Sequence, residues 1–399
     1  MGFQKRLLDR QAEYGFTTFE FKNVCGNCIN EIFIKQYIEE NACSEYCDYC
    51  DFENENDGFI AADMDDVVEF IIDALKVEWG NPDDEGVGYD SREGGYLGAE
   101  IYDGWDFILE ILCHEANIEN EYLIRDLQDK FLDTIWCKVD PYNLPEDKEL
   151  FITWQTFSEQ VKHKTRYVFY KTHTKSTYVM ERFNPNEVLD IIGSNVEKLG
   201  LIKKLTEQKI YRARVSDKGE YFKKAMEIGP PPKENALNSN RMSPAGIPMF
   251  YGGIDEETAL LEVNFLPGEN VVATIGEFKN AYSLLMLDLT SIPNVPSIFD
   301  EEDRKNRWIV KFFYSFLSDF TKPIKKDGKE HIDYVPTQIV TEYFRHIFRT
   351  KANQSIDGII YPSSKNGKKA YVLFMDNQDF SDQPVTTKMF LSNISYVER

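Results

Sequence analysis

The sequence is poor in histidine and has no long apolar run, and each absence removes a class of function. It has five histidines among 399 residues. They form no HExxH and no other metal triad, which argues against a histidine-based metal centre. No stretch approaches the roughly 18 uncharged apolar residues of a membrane-spanning helix, so we expect no membrane partner. The N-terminus MGFQKRLLDRQAEYGF lacks the apolar segment of a secretory signal, which predicts a cytoplasmic protein.

Motifs of several common enzyme folds are also missing. There is no GxGxxG after a first strand and no GxxxxGK, so neither a Rossmann fold nor a P-loop is predicted. There is no GxSxG, the nucleophile motif of α/β-hydrolases.

Basic residues are scarce in the first part of the chain only. Residues 1–150 carry 37 acidic and 11 basic side chains, whereas the remainder carries 31 and 34. The formal net charge of −23 is therefore a property of the front part. Such a surface repels nucleic acid and acidic membranes, so we expect no nucleic-acid partner. It is a solvated face, a docking surface for a basic partner or a mimic of nucleic acid, and composition does not choose among them.

Hydrophobic residues make up 42% of the chain and aromatic residues 14%, which is enough for two packed cores. Up to residue 200, apolar positions recur mainly at helical spacing, as in AADMDDVVEFIIDALKVEW, where Asp63 is a candidate N-cap. Residues 80–98 are predicted as a loop, and YVFYKT (167–172) as a strand. Beyond residue 205, strand patterns such as KIYRARV and AYVLFM mix with short helices. We therefore predict an α+β chain, with a mostly helical domain over 1–180 and a mixed α/β domain over 205–399.

Five of the seven cysteines lie between residues 25 and 50. The pairs Cys25-Gly-Asn-Cys28 and Cys47-Asp-Tyr-Cys50 have the C-x2-C spacing of a tetrahedral zinc site. Four thiolates fill the coordination sphere and leave no position for a substrate, so we predict a structural zinc that staples two segments together. Cys43 is either a spare thiol or an alternative ligand. Buried or redox-active cysteines are the alternative to a metal site.

Five polar positions follow one another in the second half. Tyr211-Arg212-Ala213-Arg214 opens a strand, and Arg241 lies in NSNRMSPAGIPMFYGG. Tyr251 ends the next strand, and Glu262 follows eleven residues later in EETALLEV. Ser363 directly follows Pro362 in DGIIYPSS. In this order the motifs resemble the RES domain, which is named for an Arg, a Glu and a Ser.

The first half carries a second resemblance. Residues ~20–180 are similar to the HEPN/RES N-terminal domain, through the paired C-x2-C motifs and the stretch with Trp154, Phe157, His163 and Arg166. The segment DYVPTQIVTEYF (333–344) resembles RES proteins that carry this N-terminal domain. The combined resemblance covers most of the chain.

The resemblance implies an enzyme that consumes NAD+. RES toxins resemble ADP-ribosyltransferases in fold, and members break the nicotinamide–ribose bond with water, phosphate or a protein as acceptor. This implies an NAD+ glycohydrolase or phosphorylase in a toxin or anti-phage defence setting, or a mono-ADP-ribosyltransferase acting on a protein. A regulator that binds a nucleotide or a partner without turnover is the third hypothesis. The partners implied beside NAD+ are an inhibitory antitoxin or trigger protein and a second copy of the chain.

The resemblance also assigns roles to single residues. The implied catalytic residues are Arg212, Glu262 and Ser363. The implied NAD+ contacts are Tyr211, Arg212, Arg241, Tyr251 and Ser363.

Physical chemistry agrees with these roles. The two arginines offer planar guanidinium groups that match a pyrophosphate. Tyr251 can wall or stack on the flat nicotinamide cation. Glu262 can stabilise positive charge that develops on the ribose and can hold a ribose hydroxyl. Arg212 and Arg214 share a face of their strand, and solvation of that strand is the plain alternative for both.

A ribonuclease is a further hypothesis. HEPN ribonucleases use an Arg and a His a few residues apart, and Arg166 and His173 have a compatible gap. The residues between them are predicted as a strand, and no polar residue follows the arginine. We therefore interpret the pair as chance.

Overall fold

The structure, a computed structural model, describes residues 10–52, 58–171, 182–266, 270–325, 327–384 and 387–398. The chain forms two compact units. One unit is Met1–Pro145 with Val295–Trp308, and the other is Glu146–Asn294 with Ile309–Arg399. His173 lies outside the described residues, so the pair that it forms with Arg166 stays a prediction.

Helices and short strands make up the first unit. Its helices are 10–14 (α1), Ile32–Glu40 (α2), Met64–Leu75 (α3), Gly104–Asp106 (α4), the π-helical turn Phe107–Leu112, Cys113–Glu115 (α5) and Glu121–Lys130 (α6). Its strands are Asn23–Cys25 (β1), Ala61–Asp63 (β2), Trp79–Gly80 (β3), Tyr89–Asp90 (β4), Gly95–Tyr96 (β5), Ile101–Asp103 (β6) and Ile135–Lys138 (β7). The loop predicted over 80–98 thus contains the hairpin β4–β5, whose turn uses Gly94 at a φ of +71°.

The helix α3 shows why this unit folds. Asp63 caps it, as predicted, by accepting hydrogen bonds from the backbone N–H groups of Asp65 and Asp66. The apolar face of α3 is fully buried in the core of the unit. Ile298 and Phe299, from the segment Val295–Trp308, lie in the same core. A distant part of the chain therefore completes the packing of the first unit.

The second unit is built on one large sheet. Its helices are Glu146–His163 (α7), Val188–Lys198 (α8), Ala225–Ile228 (α9), Glu256–Glu262 (α10), Arg307–Thr321 (α11, from Ile309 onward), Glu330–Asp333 (α12) and Val335–Glu342 (α13), followed by the π-helical turn Tyr343–Ile347. Its strands are Ile202–Leu205 (β8), Lys209–Asp217 (β9), Phe250–Gly253 (β10), Val271–Asn280 (β11), Leu284–Asp288 (β12), Gly358–Pro362 (β13), Lys369–Leu373 (β14), Phe380–Ser381 (β15) and Met389–Glu398 (β16).

The nine strands have the order β15-β16-β11-β9-β10-β14-β13-β12-β8. Among the strand pairs that the structure describes, only β12/β13 and β15/β16 are parallel, so the sheet is mixed and the α+β class is confirmed. The strands β9 and β10 share a single residue pair, Gly253↔Tyr211. The rest of β10, residues 250–252, is therefore not paired with β9, and the two strands separate there.

The strand predicted over YVFYKT is wrong for the residues described. Phe169–Lys171 form a 3₁₀ turn, in which the N–H of Lys171 donates to the carbonyl of Val168 at 3.0 Å. Phe169 packs edge-on against Phe157 of α7 with ring centroids 5.3 Å apart. The apolar side chain of Phe169 is therefore packed against α7. It does not need a neighbouring strand, which the alternating sequence pattern would have required.

No helix in the described part of the chain is both long and apolar enough to cross a bilayer.

Candidate functional site

The FYGG motif lets a helix lie directly on the sheet. Asp255 caps α10 by accepting from the N–H of Thr258 at 2.8 Å. A Cβ atom on Gly253 would lie 2.7 Å from the Cβ of Thr258 and 2.9 Å from the backbone nitrogen of Ala259. Only glycine allows this approach, because such distances are well inside van der Waals contact. The motif thereby places α10, with Glu262 as its last residue, over the face of the sheet that Gly253 occupies.

Replacing Gly253 by alanine is expected to destabilise the protein by about 1–3 kcal/mol, because the new methyl group forces α10 off the sheet. Urea unfolding followed by circular dichroism measures this. Gly88→Ala is the matched control, since a Cβ there meets nothing within 4 Å and its effect should stay within about 0.5 kcal/mol. Equal stability of the two variants would contradict the close seating of α10.

Glu262 and Ser363 form a direct hydrogen bond across the site. The Ser363 hydroxyl donates to Oε1 of Glu262 at 2.5 Å, although 101 residues separate them. The same hydroxyl oxygen accepts from the N–H of Lys365 at 3.2 Å. Ser363 is only 3% exposed, whereas Glu262 is exposed. The buried Ser363 thus holds the exposed Glu262 carboxylate in place. Because Glu262 is exposed and hydrogen-bonded, it does not pay the free-energy cost of burying an unpaired carboxylate.

The turn between β13 and β14 holds α10 at both ends. Lys368 binds Asp255 at 2.8 Å at the start of the helix. The Asn366 amide donates to the Thr258 hydroxyl at 3.1 Å, and Lys365 donates to the side-chain oxygen of Asn264 at 2.9 Å just after the helix. The position of Glu262 relative to Ser363 is therefore fixed by the turn that follows Ser363.

Arg212 is a cation without a partner of opposite charge among the described residues. Its Nη1 donates to the backbone carbonyl of Tyr251 at 2.8 Å, in the gap where β9 and β10 separate. Its guanidinium carbon lies 5.2 Å from the ring centre of Phe250, and its Nε is buried with no partner in the described structure. Burial lowers the pKa of Arg212 to about 9, and the neighbouring Arg214 adds to this. The site thus presents uncompensated positive charge.

Arg214, on the same face of β9, is structural. Its Nε donates to the carbonyl of Ile228 at 3.1 Å and its Nη2 to that of Gly229 at 2.6 Å. These carbonyls lie at the C-terminal end of α9. The two arginines therefore share a strand face but not a role.

Tyr251 is held by the loop that carries Arg241. Its hydroxyl is hydrogen-bonded to that of Ser243 at 2.9 Å, and burial raises the pKa of Tyr251 to about 12. The Gln338 side chain of α13 fixes the same loop by donating to the carbonyl of Asn240 at 2.8 Å. Tyr251 is thus a protonated phenol whose position is fixed by the hydrogen bond to Ser243.

Arg241 lies at the C-terminal end of α11. It donates to the carbonyls of Phe320 and Lys322, each at 2.9 Å, and its guanidinium carbon lies 5.8 Å from the ring centre of Tyr334. Such contacts satisfy carbonyls that a helix end leaves open. They use two of the five N–H donors of the side chain, so donors remain for a ligand.

Tyr211 pairs with Gly253 across β9/β10 but has no hydrogen bond to the other predicted residues described. Its hydroxyl donates to Glu277 at 2.9 Å, and burial raises its pKa to about 12. The carboxylates of Asp255 and Glu256 also act on it, which places it near the start of α10, at the end opposite to Glu262. The structure thus shows no contact of Tyr211 with the other candidate residues described, and its predicted role stays a prediction.

A tyrosine that the sequence did not single out ties the remaining residues together. Tyr361 is 7% exposed, and burial raises its pKa well above 10. The charges of Glu262, Tyr251 and Arg241 also act on that pKa, as does Tyr334. Groups from distant segments therefore act on one phenol, and with Ser363 they define the candidate site, which Arg212 adjoins through its hydrogen bond to the Tyr251 carbonyl.

The four paired cysteines meet in the first unit. The sulfur atoms of Cys25 and Cys50 are 3.5 Å apart and those of Cys28 and Cys47 3.7 Å, and all four ligand atoms lie within 4.8 Å of one another. A tetrahedral zinc with Zn–S distances of ~2.3 Å separates its sulfur atoms by about 3.8 Å. The geometry therefore fits a metal ion of this kind.

Hydrogen bonds around the cluster fit thiolate ligands. The sulfur of Cys47 accepts from the N–H groups of Cys25 and Tyr49 at 3.4 and 3.5 Å. The Asn120 amide lies 3.6 Å from the sulfur of Cys28 and also donates to the carbonyl of Tyr49 at 2.8 Å. Cys43 is exposed and lies outside the group of four. The residues present thus suit a closed four-sulfur site.

Two family models match the chain. The model of the RES domain matches residues 209–392, which places the protein among those with a RES domain. The model of HEPN/RES N-terminal domain 1 matches residues 40–175, a range that includes Cys47 and Cys50 but begins after Cys25 and Cys28. The chain therefore carries a HEPN/RES N-terminal domain 1 followed by a RES domain.

One solved structure is also similar. A chain in the crystal structure of the M. tuberculosis MbcT–MbcA toxin–antitoxin complex aligns with 12% identity and a TM-score of 0.27, over 52% of this chain and 92% of that chain. A TM-score this low does not establish a common fold. No curated protein matches the chain.

Proposed function

We propose that the RES domain binds NAD+ and breaks its nicotinamide–ribose bond, as an NAD+ glycohydrolase or phosphorylase in a toxin or defence setting. The observation that carries the proposal is the hydrogen-bonded pair Glu262–Ser363 in a domain that also holds a cation, Arg212, bound to the Tyr251 carbonyl and without a counter-charge among the described residues. A dinucleotide such as NAD+ carries both groups that such a site needs. Its pyrophosphate is an anion for Arg212, and its nicotinamide–ribose bond is the bond on which Glu262 would act.

The pyrophosphate of NAD+ would neutralise the positive charge of Arg212. A buried guanidinium with one carbonyl partner is costly unless an anion joins it. Arginine binds phosphate oxygens through parallel N–H groups, and Arg212 keeps its Nε donor open. Arg241 has further donors, fixed in direction by its two carbonyl contacts. Both side chains therefore keep donors that could bind the oxygens of a pyrophosphate.

The carboxylate of Glu262 would act at the ribose. Loss of nicotinamide leaves a ribose with oxocarbenium character, and a fixed negative charge near it stabilises this transition state. Ser363 occupies Oε1, and no described residue hydrogen-bonds to Oε2, which remains available for a ribose hydroxyl. The serine would thus act by orienting the carboxylate. Tyr251 would border the nicotinamide ring, a flat cation that aromatic faces attract.

The test is nicotinamide release from NAD+ by the purified full-length protein. We expect release, and mass analysis of the products distinguishes the acceptor. ADP-ribose indicates water, its phosphorylated form indicates phosphate, and a mass increase of a protein indicates transfer to that protein. Absence of release with and without phosphate, together with absence of a thermal shift on adding NAD+, would overturn the proposal.

We further propose that Cys25, Cys28, Cys47 and Cys50 bind a structural zinc. The ion would tie the segment before α2 to the segment before β2, and its binding energy would add to the stability of the first unit. An inhibitory antitoxin or trigger protein, a second copy of the chain and a cytoplasmic location remain predictions from the sequence.

A further inference from the structure

Tyr361 lies on the face of the sheet that carries the candidate site. It pairs with Ala370 across β13/β14, and Ala370 pairs with Gly253 across β14/β10. Directly opposed residues of neighbouring strands share a face, and so do residues two apart on one strand. Tyr361 therefore shares its face with Gly253, against which α10 packs, and with Tyr251.

The hydroxyl of Tyr361 has no hydrogen bond to any residue that the structure describes. The residue is nevertheless only 7% exposed. The hydroxyl oxygen is not among the fully buried polar atoms, so it reaches the surface while the ring is packed in the protein. A tyrosine with a buried ring and an accessible hydroxyl combines an apolar contact with a free hydrogen-bonding group. The hydroxyl is therefore open to a partner that is not part of the protein.

The surroundings indicate what that partner is. After burial, the Glu262 carboxylate has the largest electrostatic effect on the pKa of Tyr361. Burial keeps the phenol protonated, so it is a hydrogen-bond donor. A ligand group that binds both this donor and the Glu262 carboxylate must accept one hydrogen bond and donate another. An alcohol hydroxyl does both, whereas a phosphate oxygen accepts only.

We propose that Tyr361 is a substrate-binding residue whose hydroxyl donates to the ribose 2′-hydroxyl of the bound dinucleotide, the same group that donates to Glu262. The inference rests on the proposed function and extends it to a residue outside the predicted set. The ribose hydroxyl next to the breaking bond would then be held from two sides. Its orientation fixes the sugar while the nicotinamide leaves.

The test compares Tyr361→Phe with Tyr371→Phe in the full-length protein. Tyr371 is a buried tyrosine of β14 that pairs with Gly252 and Ile360, so it lies on the opposite face of the same sheet. We expect Tyr361→Phe to lower kcat/KM for NAD+ by roughly ten- to a hundredfold, and Tyr371→Phe to leave it within about twofold. Thermal unfolding of both variants shows whether packing has changed.

A substrate analogue locates the contact. With NAD+ that lacks the 2′-hydroxyl of the nicotinamide ribose, the ratio of wild-type to Tyr361→Phe activity should fall to about one, since the partner is gone. An undiminished ratio would overturn the assignment. Wild-type activity in Tyr361→Phe would overturn the inference and leave the proposed function in place. A wild-type protein that neither binds nor cleaves NAD+ would overturn both, and that result is visible without any variant.

Discussion

Glu262→Gln is expected to lower NAD+ cleavage by on the order of 10²–10³-fold, the range seen when one preorganised electrostatic contact to a transition state is removed. The amide has the shape of the carboxylate and can still accept from Ser363, which donates at 2.5 Å in the native protein. The substitution therefore removes the charge and keeps the position of the side chain. Because the charge matters most when the ribose becomes positive, kcat should fall much more than KM changes.

Glu256→Gln is the matched control, since it makes the same chemical change in the first turn of the same helix. It should cost at most a few tenths of a kcal/mol of stability through the helix dipole and leave cleavage unchanged. Initial rates of nicotinamide release and thermal unfolding of both variants are the measurements. Full activity in Glu262→Gln would remove the carboxylate from the mechanism. Equal losses in both variants would show that the helix, rather than the charge, had been disturbed.

Cys28→Ser is expected to abolish stoichiometric zinc binding and to unfold the core around α3. Structural zinc sites contribute about 10–16 kcal/mol of apparent binding energy in zinc-finger peptides, as much as the whole free energy of unfolding of an ordinary domain, about 5–15 kcal/mol. A serine in place of one ligand leaves three thiolates and an incomplete tetrahedron. Metal analysis of the purified protein and near-ultraviolet circular dichroism measure the two effects. Chelation of the native protein should give the same spectral change.

Cys43→Ser provides the control for the metal site. Cys43 is exposed and lies outside the group of four sulfur atoms, so this variant should keep one zinc per chain and a native spectrum. Loss of zinc in Cys43→Ser would make Cys43 a ligand. Retention of zinc and fold in Cys28→Ser, or wild-type protein without zinc after refolding in its presence, would contradict the proposed site.

The cysteine cluster could be predicted from the sequence because its signal is local. Two C-x2-C pairs each form a tight turn, and only the meeting of the two turns depends on the fold. The capping of α3 by Asp63 is local in the same sense. The hairpin β4–β5 was missed because its strands have only two residues each, too few for an alternating pattern.

The site in the second unit is different, because its parts meet only through the sheet. Resemblance to the RES domain suggested Glu262 and Ser363, and the structure brings them into contact. Sequence patterns could not separate Arg212 from Arg214, since both point from one face of β9 and only the opening beside β10 distinguishes them. Tyr361 was missed because its neighbours follow from the register of three strands. DGIIYPSS by itself indicates only a buried strand.

The segment Val295–Trp308 has a consequence for inheritance. It contributes Ile298 and Phe299 to the core of the first unit, and Arg307 reaches Glu78 at 3.1 Å and Glu115 at 3.2 Å within that unit. Two separate segments of the sequence therefore encode the first unit. The second segment lies between β12 and the main part of α11. A single recombination near codon 146 would transfer a front half with an unfilled core, so selection should keep the two halves together.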